Sequence, residues 1–271
     1  MKKTLIAITA LSGVASAALT DTQIANPYEV TLSNSATSLD MTGFLPQDDS
    51  CRSFTAVLTL DVQALSVFTT GKPTSSAKKT PILSWIVAGE NGHSTNISVN
   101  NNSDGFGNIT TAGFYIEYEQ EATHTNCALP GDTSAASTKF ANNGDAAAEF
   151  LSSVNWATTT DAVLTLTYNG DNATTGEPLG VQIYFTTKSI DGTISTVTAS
   201  SPGIRWTNGS DLDTHTIGYE PTYLDGLTIY SGYASTEQAL ELNKNAVIPE
   251  PTTATLSLLA LAGLAARRRR K

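Results

Sequence analysis

The central part of the chain contains short runs rich in Val, Ile, Thr, Tyr and Phe, and these runs are separated by Gly, Asn, Asp and Ser. The run 113–119 alternates in the way expected of a strand. One face would carry Phe114, Ile116 and Tyr118, and the other would carry Tyr115, Glu117 and Glu119. Asp191-Gly192 lies between two short apolar pieces and predicts a tight hairpin turn. A strand-like piece occurs at 28–32, and full strands are predicted at 54–62, 81–87, 113–119, 162–169, 180–187 and 224–230.

Two segments have a helical pattern. Ser235 and Gln238 have the spacing of a capping box and predict a short helix that runs towards Leu242. The Ala-rich segment 140–154 is ambiguous and is predicted to form a turn or two. Many short strands with few helices are typical of a sandwich or jelly roll. We therefore expect an all-β body of one domain, at residues 18–248.

The N-terminal segment has the features of a secretory signal peptide. Lys2 and Lys3 precede an apolar run at 5–14, and Ala15-Ser16-Ala17 supplies the small residues that signal peptidase requires. An N-terminal strand or anchor helix is the alternative, but the apolar run is too short to span a bilayer. We expect residues 1–17 to be removed, with cleavage after Ala17.

The C-terminal segment 249–271 has three parts in order: Pro249-Glu250-Pro251, an apolar stretch at 254–266 and a basic cluster at 267–271. As a helix the apolar stretch would cover roughly 20 Å of a hydrocarbon core of about 30 Å, enough for a transient anchor. The basic cluster would stay in the cytoplasm and the body would lie on the other side of the membrane. The prolines would stop that helix from continuing into the body.

This ending resembles the PEP-CTERM tail, a sorting signal of Gram-negative bacteria. The resemblance implies that an exosortase cuts near Pro249-Glu250-Pro251 and releases or re-anchors the body, which makes the chain a secreted or cell-surface protein. An ordinary short tail anchor is the alternative. Neither interpretation says what the body does.

Charge and cysteine content restrict the function further. With the two ends set aside, the body carries 8 Lys and Arg against 24 Asp and Glu, a net charge near −16. Such a body is repelled by nucleic acid and by anionic membrane surfaces, so nucleic-acid binding is not expected. Cys51 and Cys127 are the only cysteines, and in an oxidising compartment we expect them to pair. In the chain-entropy model a bridge over so long a loop contributes about 4–5 kcal/mol.

The body contains a set of ordered segments: 54–57 and 82–85, then Trp156 with 163–170 and 180–184, then 216–218, then 224–230 with 234–242. This ordered set is similar to laminin G-like, concanavalin A-like lectin domains of bacterial surface proteins. The similarity covers roughly residues 50–243 and implies a jelly roll of two antiparallel sheets, with Trp85 and Trp156 in its core. The fold alone does not specify a ligand, because it also occurs in glycosidases and spacers. In the family an Asp-Gly pair follows the strand that corresponds to 180–184. Here Phe185-Thr186-Thr187 follows that strand, so the chemistry of the family's loop is not transferred to this chain.

Glu117, Glu119 and Glu121 are the candidate catalytic residues. They are two residues apart, so a strand would place them on one face, and glycoside hydrolysis uses a pair of carboxyl groups. The triplet resembles the Glu-x-Asp-x-(x)-Glu motif that concanavalin-like glucanases carry on one strand, although Glu119 stands where that motif has Asp and no Trp lies nearby. A solvated sheet face is the alternative explanation.

Binding and metal sites have weaker signals. Trp206, Tyr219 and Tyr223 are candidate sugar-stacking residues, and a packed loop aromatic is the alternative. Calcium is a candidate cofactor because lectins of this kind hold it with loop Asp and Asn side chains. None of the three histidines has zinc spacing or a catalytic-triad order. The loop aspartates are Asp48, Asp49, Asp104, Asp211 and Asp213, and the histidines are His93, His124 and His215.

The sequence therefore predicts a secreted, non-catalytic β-sandwich module that binds glycans or extracellular matrix and is processed by signal peptidase and exosortase. A glycoside hydrolase of the concanavalin-like class and a purely structural envelope or biofilm protein are the alternatives.

Overall fold

The body consists of two six-stranded antiparallel sheets in a computed structural model, which describes residues 18–45, 53–70, 78–87, 93–103, 109–118, 139–140, 151–169, 180–202 and 215–248. The first sheet has the order β1-β12-β3-β8-β9-β10, and the second has the order β2-β11-β4-β5-β6-β7. The strands are β1 Tyr28–Val30, β2 Thr37–Asp40, β3 Phe54–Leu60, β4 Lys78–Val87, β5 His93–Ser103, β6 Ile109–Tyr118, β7 Lys139–Phe140, β8 Thr159–Asn169, β9 Gly180–Ser189, β10 Ile194–Pro202, β11 His215–Tyr219 and β12 Leu224–Tyr230.

The two sheets share one apolar core. Phe114 of the second sheet meets Phe185 of the first edge to face, with ring centroids 5.3 Å apart, and Trp85 meets Phe54 in the same way at 5.4 Å. Trp85 and Trp156 are only 3% and 7% exposed, as predicted for core residues. The prediction of two antiparallel sheets is confirmed, and the jelly-roll identity stays a prediction.

The strand at 224–230 has its predicted position. β12 lies inside the first sheet, between β1 and β3, and Leu227 and Ile229 are buried in the core. The predicted hairpin is also present, because Gly192 has φ +84° between β9 and β10. The backbone N–H of Thr193 donates to Asp191 Oδ1 at 2.9 Å, and this hydrogen bond lowers the pKa of Asp191.

The predicted strand at 54–62 was too long. β3 ends at Leu60, and helix α2, Val62–Thr70, follows at once. Asp61 caps this helix, because its Oδ1 accepts from the backbone N–H of Ala64 at 2.8 Å. Leu65 and Phe68 are three residues apart and both are buried, so the helix closes one end of the core.

The strand β5 has no clear strand pattern in the sequence and was not predicted. It pairs with β4 over residues 93–101 and with β6 over residues 95–103, although it is rich in Asn and Ser. Ile97 and Val99 are its buried apolar residues in the shared core. Two inward-facing apolar residues are enough here because strands on both sides supply the backbone hydrogen bonds.

The predicted C-terminal helix is present and is longer than expected. Ser235 and Gln238 form the capping box, and helix α3, Thr236–Val247, continues past Leu242. It continues because Ala239, Asn243 and Val247, spaced by four residues, form one buried stripe. This stripe packs on the outer face of the first sheet, opposite the main core, where Val163 and Tyr184 belong to the same apolar cluster.

The first residues of the described chain belong to the same cluster. Ala18 forms a bridge with Tyr233, and Leu19 is buried beside α3. Gln238 binds both backbone groups of Leu19: its Oε1 accepts from the N–H at 3.1 Å and its Nε2 donates to the carbonyl at 2.7 Å. A short helix, α1 Asp21–Ala25, follows with its own capping box at Thr20.

Other sequence predictions lie partly or wholly outside the described residues. Of the segment 140–154, Phe140 is in β7 and residues 151–154 form turns, while 141–150 lies outside. Residues 1–17 and 249–271 lie outside as well. Within the described ranges, no helix combines the length and the apolar character needed to cross a membrane.

Candidate functional site

A groove of about 410 Å³ lies on the second sheet where β2, β11 and β4 run side by side. Its floor is a row of small residues, because Ser38 and Ser84 are both directly opposite Gly218. A Cβ at Gly218 would lie 2.5 Å from Ser84 Oγ, so the missing side chain keeps the floor open. A volume of this size is in the range of small-ligand pockets. The groove is lined by Ala36, Thr37, Ser38, Thr80, Pro81, Ile82, Leu83, Ser84, Gly218, Tyr219 and Glu220.

Glu220 is the charged group among these lining residues, and the backbone fixes its position. Its own N–H donates to the carbonyl of Ile82 at 3.2 Å, which extends the pairing of β11 with β4 by one residue. Its Oε1 accepts from the hydroxyl of Thr222 at 2.6 Å and from the Thr222 N–H at 3.3 Å. The carboxylate therefore caps the 3-10 turn Pro221–Tyr223 and is held at one end of the groove.

Tyr223 lies beside this end of the groove. Burial raises the pKa of its phenol and the nearby Glu220 raises it further, while a hydrogen bond with Thr80 acts in the opposite direction. Its ring packs edge-on against Phe68, with centroids 5.4 Å apart. The half-buried phenol is therefore protonated at neutral pH. Since Thr80 and Glu220 both line the groove, the structure places Tyr223, a predicted binding residue, next to the groove.

Tyr219 has a different environment. Its ring is part of the core, and its hydroxyl accepts from the backbone N–H of Ser33 at 2.9 Å and donates to the carbonyl of Thr31 at 3.4 Å. The hydrogen bond with the Ser33 hydroxyl lowers the pKa of Tyr219. The hydroxyl of Tyr219 therefore holds the connection between β1 and β2 in place by hydrogen bonds, and both faces of its ring are buried inside the protein.

The row of residues that forms the groove floor continues across the whole second sheet. In the strand register Ser84 is opposite Asn96, Asn96 is opposite Glu117, and Glu117 is opposite Lys139. Glu117 thus occupies a register position two strands from Ser84, a separation of roughly 10 Å. Glu119 and Glu121, the other two residues of the acidic triplet, lie outside the described residues.

The histidines of the described ranges are on strands of the second sheet and are not among the residues that line the groove. His93 and His215 occupy register positions on either side of Val87, on β5 and β11. Within the described ranges, no three residues of the His, Cys, Asp and Glu types come together as a metal site. The predicted residues outside the described ranges are Ala17, Asp48, Asp49, Cys51, Asp104, His124, Cys127, Trp206, Asp211, Asp213, Pro249, Glu250 and Pro251.

The groove itself was not predicted. Its floor combines Ser38, Ser84 and Gly218, which are far apart in the sequence and meet through strand pairing alone. Small residues on a strand are ordinary in any sheet, so no local pattern marks them. Glu220 before Pro221 carried a local signal, since an acidic residue followed by Pro is typical of a cap.

Comparison with known proteins identifies the end of the chain. Residues 247–271 match the model of the PEP-CTERM protein-sorting motif. No curated protein gives a significant sequence match to the chain. Among solved structures, the chain is similar to the crystal structure of the marine PL-14 alginate lyase from Aplysia kurodai, with a TM-score of 0.29, 10% sequence identity and coverage of 68% of this chain and 71% of that chain. The sorting motif indicates export and an exosortase-sorted surface or extracellular protein of a Gram-negative bacterium.

Proposed function

We propose that the body of this exosortase-sorted protein is a non-catalytic β-sandwich module that binds glycans or extracellular matrix at the cell surface. The observation that supports this is the groove over Ser38, Gly218 and Ser84. Hydroxyl groups and a fixed carboxylate are the partners that sugar hydroxyls need. The proposed boundaries are a signal peptide at 1–17, the laminin G-like or concanavalin A-like body at 18–248 and the sorting signal at 249–271.

The groove allows a direct test with glycan arrays and with the full chain purified in detergent. Gly218→Ala places a methyl group in the groove, and the accompanying Ser84→Ala change removes the hydroxyl that this methyl group would strike. We expect the double variant to lose at least about tenfold in glycan affinity while its melting temperature changes little. Unchanged affinity in the double variant would contradict the assignment of the groove.

Gly226→Ala is the matched control. This glycine lies on β12 of the other sheet, and its new Cβ would meet Thr59 at ordinary van der Waals distances of 3.4 and 3.5 Å. The control variant is expected to bind glycans as the unaltered chain does. If no glycan binds and none shifts the melting temperature, the purely structural envelope role replaces the binding role.

A hydrolase of the concanavalin-like class is the second candidate function. The observation that favours it is the register row that joins Ser84 to Glu117. If the body cleaves a polysaccharide, Glu117→Gln or Glu119→Gln should abolish turnover. Reducing-sugar release from the glycans bound on the array distinguishes the two candidates, because a binding module releases none.

Three further proposals concern residues outside the described ranges. Cys51 and Cys127 form a disulfide, Trp206 contributes a sugar-stacking face, and calcium is a candidate cofactor. Thiol alkylation with and without a reductant tests the disulfide. The effect of a chelator on glycan affinity tests the calcium.

A further inference from the structure

The folded body extends up to the sorting motif without a linker. The matched motif begins at Val247, which is also the last residue of α3 and is fully buried. Ile248 alone separates this buried residue from the tripeptide at 249–251. The N–H of Ile248 still donates to the carbonyl of Lys244 at 2.9 Å, so the helical hydrogen bonding continues to the edge of the tripeptide.

Hydrogen bonds to the N-terminal segment and to the first sheet hold α3 along its length. Gln238 binds Leu19 near the start of the helix, and Asn243 is hydrogen-bonded to β8 and β9 in the middle. At the end, Lys188 Nζ of β9 donates to the carbonyl of Val247 at 3.2 Å. Asp161 of β8 lies 3.6 Å from the same Nζ and orients it.

A protease binds the residues around the cut bond in an extended form, and residues packed in a helix are not in that form. When opening is fast relative to cutting, the rate of proteolysis follows the equilibrium population of the open state. The last turn of α3 is therefore the part of the body whose detachment gives an enzyme access to residues N-terminal to the tripeptide.

We propose that the packing of α3 restrains sorting: efficient cleavage near 249–251 requires the last turn of α3 to detach from the first sheet, and Lys188 is the latch that opposes this. The proposal rests on exosortase processing of the tail and is independent of glycan binding. It makes the release or re-anchoring of the body depend on a local opening of the folded domain.

The test follows tail removal from the full chain in an exosortase-carrying Gram-negative host by pulse-chase and immunoblotting. Lys188→Met keeps the aliphatic stem and removes the hydrogen bond to Val247. We expect tail removal to become roughly fivefold faster. The reason is that losing one such hydrogen bond raises the population of the detached last turn by about this factor. A six-residue Gly and Ser insertion between Ile248 and Pro249 should accelerate processing as well and should remove the effect of Lys188→Met.

Lys244→Met is the control for charge. Lys244 is exposed in the last turn of the same helix, so its loss changes the net charge equally and leaves the latch in place. We expect less than a twofold change in its rate. Equal rates for Lys188→Met and the unaltered chain, slower processing in Lys188→Met, or equal acceleration by Lys244→Met would overturn the proposal.

Amide hydrogen exchange on the purified full chain provides a second measurement that does not depend on the enzyme. In Lys188→Met the amide of Ile248 should exchange several-fold faster. The amide of Ala239, which donates to the carbonyl of Ser235 in the first turn, should be unchanged. Faster exchange at both positions would indicate general unfolding of α3 and would contradict a latch at its end.

Discussion

Thr165 of β8 donates its hydroxyl hydrogen to Oδ1 of Asn243 on α3 at 2.6 Å, and both side chains are fully buried. The amide nitrogen of Asn243 completes the arrangement, because it donates to the carbonyl of Tyr184 at 2.8 Å and to the Thr186 hydroxyl at 3.0 Å. A single polar side chain thus joins the helix to two strands of the first sheet. Because all its partners are buried, losing it removes one hydrogen-bond partner from each of three polar groups that water does not reach.

Replacing Asn243 by Ala should destabilise the body by about 2–4 kcal/mol, since the hydroxyl of Thr165 and the carbonyl of Tyr184 lose a buried partner. Chemical denaturation of the full chain in detergent measures this. Asn245→Ala on the exposed side of the same helix should change the free energy of unfolding by less than about 0.5 kcal/mol. Equal effects of the two substitutions would show that the buried hydrogen bonds contribute little.

Phe185→Ala should cost about 3–5 kcal/mol, because the ring is buried between the sheets and contacts Phe114 of the opposite sheet. Thermal unfolding followed by near-UV circular dichroism reports this loss. Val197 is opposite Phe185 in the register of β9 with β10, but it is 43% exposed. Val197→Ala should therefore lower the melting temperature much less, and a comparable loss would place part of the core at β10.

Gly192→Ala should destabilise the β9–β10 hairpin by about 1 kcal/mol, because φ at this position is +84° and a side chain disfavours that conformation. The new methyl group itself has open space around it, so the cost is purely conformational. Denaturation midpoints compared with Gly226→Ala, which has no positive φ, isolate that cost. No difference between these two variants would show that the turn adapts.

Asp225→Asn should stabilise the body slightly at neutral pH. Burial raises the pKa of Asp225 and the nearby Asp61 raises it further, so the folded state binds the proton more readily than the unfolded chain does. The charged form therefore costs stability above the folded-state pKa, and this cost disappears as the pH falls below the unfolded value of about 3.9.

The gain for Asp225→Asn at pH 7 should be a few tenths of a kcal/mol, because the side chain is largely exposed and water screens its charge. Melting temperatures at pH 7 and pH 3 are the measurement, with Glu241→Gln on the exposed side of α3 as the comparison. A gain that persists at pH 3 would point to a cause other than the charge of Asp225.

Local patterns predicted the elements whose causes are local. The Asp191-Gly192 turn and the Ser235 capping box each depend on residues at most four apart, and both are present in the structure. The helix α2 was not predicted, because the apolar run at 54–62 was interpreted as one strand that ends at Val62, whereas the cap at Asp61 and the burial of Leu65 favour a helix. The Asp61 cap was visible in the sequence, but the β-branched residues around it favoured a strand more strongly.

The candidate groove depends on contacts that the sequence does not show. The alignment of Ser38, Gly218 and Ser84 needs the strand order β2-β11-β4, in which the first and last thirds of the chain are neighbours. Tyr219 was a candidate sugar-stacking residue because it lies not far along the chain from Trp206, near Tyr223. The alternation of β11 instead directs its ring inward beside Ile217, two positions away.

The pairing of Leu19 with Gln238 joins residues 219 positions apart, across nearly the whole exported body. The outer apolar cluster therefore cannot close until the last segment of the body has crossed the membrane. If the predicted signal peptide at 1–17 is still attached at that moment, Ala18 and Leu19 are held at the membrane. During export the outer face of the first sheet should therefore stay uncovered until α3 has followed the strands across the membrane.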